Sequence, residues 1–184
     1  MKTLFTSLFL SVCISTVTAQ NMKKIDGIIY KEISENEAKV ERADKKIKEA
    51  FIRERVKLNK KEYIVTSIDR SAFENCASLK SVIIPNTITS IEWGTFRNCS
   101  SLEDITIPNS VTSIGSHAFL GCSSLKNVEI PNSVTSIGSH AFFGCSSLTS
   151  IVIPNSVVTI ADYVFCKCVF RSPKQPKLFR NNQI

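Results

Sequence analysis

The sequence predicts an α/β repeat fold, a solenoid of about five coils of 23 residues each, preceded by a β-hairpin cap. Two observations lead to this prediction: apolar residues recur in columns with a period of 23, and each period joins a strand-like alternating stretch to a compact, turn-rich stretch. One coil buries too few apolar side chains to offset the entropy of ordering its own chain. Each coil is therefore expected to become stable only when it stacks on its neighbours.

Residues 1–19 indicate an export signal. Lys2 precedes a mostly apolar run from Leu4 to Val17, and small residues follow up to Ala19. The run of about fourteen residues is too short to span a bilayer as a helix. The mature chain is thus predicted to be secreted or displayed on the cell surface without a transmembrane segment, and a lipoprotein signal at Cys13 is the alternative.

Residues 20–60 are predicted to form an N-terminal capping region. Residues 27–33 and 37–42 alternate weakly around a turn at Asn36, and residues 51–58 and 63–68 flank a second turn at 59–61, so two β-hairpins are expected. The segment 43–50 between them is compatible with a helix. The many charges suit a solvated cap face; binding to an anionic, heparin-like surface is the alternative explanation of the same charges.

Residues 61–168 are predicted to be the repeat array. Six columns of residues recur at intervals of 23, and chance does not produce so many coincidences in five successive coils. The columns are Ile68, Ile91, Ile114, Ile137 and Ile160; Phe73, Phe96, Phe119, Phe142 and Phe165; Cys76, Cys99, Cys122, Cys145 and Cys168; Leu79, Leu102, Leu125 and Leu148; Val82, Ile105, Val128 and Ile151; Pro85, Pro108, Pro131 and Pro154.

Within one coil, residues 125–130 alternate apolar and polar, which predicts a short strand that Pro131 ends because it lacks a backbone donor. Residues 133–137 are rich in β-branched side chains and suggest a second short strand. Residues 140–145 predict about one helical turn, which Gly144 terminates. A strand, a turn and a short helix that returns to the start make a solenoid coil of leucine-rich type.

The pattern I-P-N-S-V-T-S-I-G-x-x-A-F-x-G-C-S-S-L-x-x-I occurs at residues 107–128 and 130–151. It resembles the 23-residue leucine-rich repeats of the BspA-like family, which occurs on bacterial surfaces and in some protist parasites. The resemblance covers about residues 62–168, and the stretch before it is similar to the strands that lead into such arrays. It implies extracellular binding or adhesion to host proteins, usually without catalysis.

Charge and motifs exclude several classes of function. The net charge is +7, but the array from 63 to 168 carries 5 basic and 7 acidic residues, whereas a nucleic-acid binder is expected to carry a basic stripe on its folded surface. No phosphate-binding loop, nucleophile elbow, zinc motif or recurring carboxylate pair occurs. We therefore expect no nucleic-acid partner, no cofactor and no enzymatic activity. The tail 169–184, with 4 basic and no acidic residues, is predicted to be disordered.

The cysteines and histidines have structural explanations that compete with functional ones. Equivalent cysteines in stacked coils project in parallel into the core, so a column of buried free thiols is favoured over disulfides. If a disulfide forms, it is expected at Cys166 and Cys168. His117 and His140 share one column, but a zinc site normally needs three or four protein ligands. They are therefore expected to face solvent on the short helices, with no metal.

The repeats at 107–129 and 130–152 differ at five positions, and four of the five lie in the predicted strand. Core and turn positions are fixed by packing and backbone geometry, whereas strand positions that face solvent are free to differ. The concave strand face is thus the predicted place where a partner is recognised, with neutral drift of an exposed surface as the alternative. Its two outward columns are Ser81, Asp104, Asn127 and Ser150, and Ile83, Thr106, Glu129 and Val152.

The predicted function is therefore that of an exported, adhesin-like module that binds a host or matrix protein or peptide through this face. The alternative is a structural module that assembles with itself, because an uncapped C-terminal coil can stack on another chain.

Overall fold

The computed structural model describes residues 21–169, so the predicted export signal and residues 170–184 of the predicted tail lie outside it. Within the described residues the chain forms thirteen strands and no helix. The strands are β1 (Met22–Ile25), β2 (Ile28–Glu32), β3 (Glu37–Ala43), β4 (Glu49–Phe51), β5 (Arg55–Leu58), β6 (Lys61–Ile68), β7 (Ser81–Ile83), β8 (Ser90–Ile91), β9 (Asp104–Thr106), β10 (Ser113–Ile114), β11 (Asn127–Glu129), β12 (Ser136–Ile137) and β13 (Thr159–Ile160).

The N-terminal strands form one sheet in the order β1-β2-β3-β6-β5. Strands β2 and β3 pair antiparallel, and so do β5 and β6, where the predicted hairpins lie. Asn59 and Lys60 close the second hairpin with positive φ angles of 47° and 78°, conformations that asparagine tolerates better than most residues. The sheet joins the first coil through β3, because the amide of Ala43 donates to the carbonyl of Ala72. Its role as a cap stays a prediction.

The expected helix at 43–50 is wrong, and the second hairpin starts later than expected. Residues 49–51 form β4, which pairs in parallel with β7, so Phe51 belongs to the sheet of the array instead of the hairpin. The hairpin strand begins at Arg55. Ile47 and Ala50 are both buried. Their spacing of three residues fits one face of a helix, but it fits equally well a bend that is followed by a strand.

The array is built on two parallel sheets, β4-β7-β9-β11 and β8-β10-β12-β13. Their registers repeat the sequence period, since Asp104 pairs with Asn127 and Ser113 with Ser136, each pair 23 positions apart. The leucine-rich-repeat solenoid of about five turns is thus confirmed. The predicted strands at 125–130 and 133–137 are present in shortened form, as β11 and β12.

The helical turn predicted in each coil is wrong, and the hydrogen bonds show why. In the fourth coil the amides of Ala141 and Phe143 donate three residues back, to Gly138 and His140, but the amides of Phe142 and Gly144 donate to carbonyls of the next coil. Alternate amides are therefore committed to stacking and cannot make the bonds of a helix. His140 and Gly144 also have positive φ angles of 58° and 74°, which an α-helix does not allow.

The core lies between these sheets and turns, and it contains the predicted columns. Successive phenylalanine rings from Phe73 to Phe165 stack with centroids 5.1–5.6 Å apart, and the first four rings are fully buried. Offset or stacked ring pairs at this separation stabilise a core beyond their buried area. The phenylalanines therefore face a shared interior, and the polar residues of each strand remain on the outside.

Candidate partner-binding face

The sheet β4-β7-β9-β11 places alternate side chains on opposite sides. The central residue of each three-residue strand points inward, from Ala50 in β4 to Val128 in β11. The flanking residues point outward in two columns, and the bridge from Glu129 to Val152 extends one column into the fifth coil. We call this outer surface the strand face; it consists of Glu49, Ser81, Asp104, Asn127 and Ser150 in one column and Phe51, Ile83, Thr106, Glu129 and Val152 in the other.

All eight residues predicted from the sequence lie on the strand face. Ser81 is half-buried, and the other seven are exposed. The apolar members stand out because Ile83 is 56% and Val152 is 78% exposed. Single exposed apolar residues are ordinary, and Val158 outside the face is 80% exposed, so the feature that matters is their alignment in one column of the sheet. That these residues contact a partner stays a prediction.

Sequence reasoning missed two members of the strand face, Glu49 and Phe51. Phe51 is 57% exposed and lies directly beside Ile83 in the register of β4 and β7. The sequence does contain evidence for this strand, because residues 47–52 have the same order of apolar and polar residues as residues 79–84. The two stretches, however, lie 32 positions apart instead of 23. The hairpin of β5 and β6 is inserted between the two stretches and hides the period.

The carboxylates of the strand face form no direct ion pair within residues 21–169, although the charge of Lys126 lies close enough to interact with Asp104. Among the ion pairs of residues 21–169, none includes Glu49, Asp104 or Glu129. Just outside the face, Glu103 and Lys126 pair at 2.6 Å; this contact lowers the pKa of Glu103 and raises the pKa of Lys126. The nearby lysine is thus already occupied, and the face is acidic on a chain whose net charge is +7.

A cleft of about 620 Å³ adjoins the acidic half of the strand face, where the strands run into the proline-containing turns. Asp104, Asn127 and Glu129 line it from the face, and Asn86 and Asn109 line it from the turns. Amide side chains of this kind donate and accept hydrogen bonds. The cleft can therefore satisfy backbone groups of a bound chain.

The histidines are not on helices and do not simply face solvent. His117 and His140 are half-buried and stack with their centroids 5.1 Å apart, between Trp93 and Tyr163. Burial lowers the pKa of His117, and His140 and Arg97 lower it further. No group of three or more metal-ligating side chains occurs within the part of the chain that the structure describes. The pair belongs to a stacked ring column.

The cysteine column contains free thiols throughout the array. The thiols of Cys99, Cys122 and Cys145 each donate to the carbonyl of the phenylalanine in the preceding coil, at 3.1, 3.1 and 3.3 Å, whereas Cys76 donates to the carbonyl of Asp44. Cys168 continues this pattern at 3.2 Å from Phe142. The column thus ties coils together, while Cys166 and Cys168 are both free and half-buried in this structure.

No helix in residues 21–169 has the length and apolar character needed to cross a membrane.

Comparisons with known proteins give a consistent result. A family model described as a BspA-type leucine-rich repeat region matches residues 45–171 in six copies. The match begins before β4, so it includes a strand that lies within the predicted capping region 20–60. No curated protein matches the sequence.

Several solved structures resemble the fold. A leucine-rich repeat protein from Bacteroides ovatus is 34% identical, with a TM-score of 0.72 over 80% of this chain and 40% of that protein. The leucine-rich repeat protein of T. pallidum is 27% identical, with a TM-score of 0.68 over 78% and 66% of the two chains. A leucine-rich cell surface protein from Faecalibacterium prausnitzii is 26% identical, with a TM-score of 0.63 over 81% and 47%. The chain thus spans 40–66% of the length of these relatives.

Proposed function

Because this chain belongs to the BspA-type leucine-rich repeat family, we propose that it is an exported, non-enzymatic module that binds an extracellular host or matrix protein through its strand face. The family supports protein interaction as the general role, and the cell-surface description of the Faecalibacterium relative supports the location. Adhesion to a host protein is the specific role that we propose. Residues 1–19, which lie outside the described part, are proposed to direct export.

One observation carries this proposal. The strand face keeps three large apolar side chains exposed, Phe51, Ile83 and Val152, in one straight column that also holds the unpaired carboxylate of Glu129. Leaving such side chains in water costs solvation free energy that a partner would recover by covering them. With strands ~4.8 Å apart, the column is about 20 Å long, which suits a peptide or a small protein epitope.

We expect the double substitution Asp104→Lys and Glu129→Lys to abolish binding of the partner. Two reversed charges in the centre of the face replace complementary contacts with repulsion, which raises the dissociation rate. The measurement is biolayer interferometry of the mature chain against a panel of purified extracellular matrix proteins. Far-ultraviolet circular dichroism checks that the fold is unchanged.

Glu54→Lys with Asp162→Lys is the matched control, because it changes the net charge equally at two exposed sites away from the strand face. The control variant is expected to bind like the parent chain. Two results would contradict the assignment of the strand face. In one, a matrix protein binds the parent chain and the Asp104→Lys, Glu129→Lys variant equally well. In the other, the control variant loses as much affinity as the face variant.

Self-assembly through the C-terminal coil is a second candidate. Ile151, Ile153 and Ile160 are half-buried, whereas their equivalents Val128, Ile130 and Ile137 in the preceding coil are buried. A second copy stacked on this coil would bury them. Light scattering after size exclusion separates the two candidates, since assembly predicts a mass that rises with concentration and falls when Ile160 is changed to Lys.

A further inference from the structure

We propose that the segment bound by the strand face is an extended peptide in which an apolar side chain is followed, four residues away in either chain direction, by a lysine or arginine. This inference rests on the proposed function, because it names the chemistry of the partner at the same surface. It follows from the order of side chains along one column of the face: Phe51, Ile83, Thr106, Glu129 and Val152.

The apolar end of the column comes from β4 and β7. Phe51 and Ile83 are direct neighbours in the register, and each is more than half exposed. Together they offer a partner two adjacent apolar side chains on which an aliphatic or aromatic side chain can pack. Covering that patch removes apolar surface from water on both partners, which is the main source of affinity at such contacts.

The acidic part of the strand face comes from β9 and β11, with Asp104 in one column and Glu129 in the other. Asp104 and Glu129 project from neighbouring strands, and neither forms an ion pair among the described residues, because the nearby Lys126 is bound to Glu103. An approaching lysine or arginine therefore meets two carboxylates that form no direct ion pair, although Lys126 also interacts with Asp104 through its charge. The array from 63 to 168 carries 5 basic and 7 acidic residues, so its charge favours the approach of a basic segment to this face.

The spacing between the two ends sets the pattern of the peptide. Three inter-strand steps of ~4.8 Å separate Phe51 from Glu129, a distance of about 14 Å, and four residues of an extended chain cover about 13 Å. Side chains four residues apart in an extended chain also point to the same side. Asn86 and Asn109, in the adjoining cleft, lie where they can bond the backbone of the peptide.

The test uses a phage library of random twelve-residue peptides, selected on the immobilised mature chain. We expect the selected sequences to be enriched in an apolar residue and a lysine or arginine four positions apart. A synthetic copy of the most enriched peptide, labelled with fluorescein, then reports affinity by fluorescence anisotropy. Glu129→Gln and Phe51→Ala are each expected to weaken it at least about tenfold, whereas the exposed Glu54→Gln off the face leaves it unchanged.

The outcomes separate this inference from the proposed function. Peptides that lose affinity on Phe51→Ala but carry no basic residue, or that bind equally well to Glu129→Gln, would overturn the inference and leave the face as a binding surface. If the selected peptides bind the Phe51→Ala and Glu129→Gln variants as tightly as the parent chain, or if no peptide is enriched above background, the inference and the proposed function are both overturned. Affinity that falls steeply as salt rises from 50 to 500 mM on the parent chain, but not on Glu129→Gln, is the expected signature of the charge contact.

Discussion

Replacing Phe119 by alanine is expected to lower the free energy of unfolding by about 3–5 kcal/mol. The ring is fully buried and stacks between Phe96 and Phe142 at centroid distances of 5.4 and 5.1 Å. Its removal leaves a cavity in the middle of the array and interrupts ring contacts with both neighbouring coils. Urea denaturation followed by circular dichroism measures the change.

Phe51→Ala is the matched control for this prediction, since it removes the same side chain from an exposed position. Phe51 is 57% exposed, so its replacement is expected to change the free energy of unfolding by no more than about 0.5 kcal/mol. It is nevertheless expected to weaken binding at the strand face. If Phe119→Ala and Phe51→Ala lowered the free energy of unfolding by the same amount, the claim that Phe119 belongs to a buried column and Phe51 to an exposed surface would be contradicted.

The thiols are expected to react with iodoacetamide at very different rates at pH 8. Burial raises the pKa of Cys99 from 9.0 to about 12, which reduces its thiolate fraction at pH 8 by about 1,000-fold. Burial also raises the pKa of Cys76 and Cys122, and a hydrogen bond with Cys168 together with burial raises the pKa of Cys145. The same contact lowers the pKa of Cys168, which is only half-buried.

Peptide mass spectrometry after brief alkylation measures these rates. Cys166 and Cys168 are expected to be modified first, and the four inner thiols only slowly. In guanidinium chloride all six are expected to react at similar rates, because unfolding removes the burial that raises the pKa. Rapid modification of Cys99 in the native chain would contradict a closed interior between stacked coils.

Much of the array could be predicted because its determinants are repeated in the sequence. The isoleucine, phenylalanine and cysteine columns follow directly from the period, and stacking buries every member except the last of each column, Ile160, Phe165 and Cys168, which are half-buried. The eight predicted positions of the strand face follow from the same period together with strand alternation. The family resemblance agreed with this prediction.

The errors arose where hydrogen bonding is not local. Residues 140–145 have the composition of a short helix, but the amides of Phe142 and Gly144 donate to the next coil, to carbonyls 22 residues further along the chain. The strand β4 was missed because the hairpin of β5 and β6 lengthens the first period. Phe51 therefore lay outside every column, although it occupies the same position as Ile83 in the folded sheet.

The most direct test of the account is carboxyl footprinting of the mature chain with a water-soluble carbodiimide, with and without a matrix protein that it binds. Asp104 and Glu129 are expected to lose most of their labelling in the complex, while Glu54 and Asp162, both exposed away from the strand face, keep theirs. Unchanged labelling of Asp104 and Glu129, with protection at Glu54 or Asp162 instead, would contradict the claim that the strand face receives the partner.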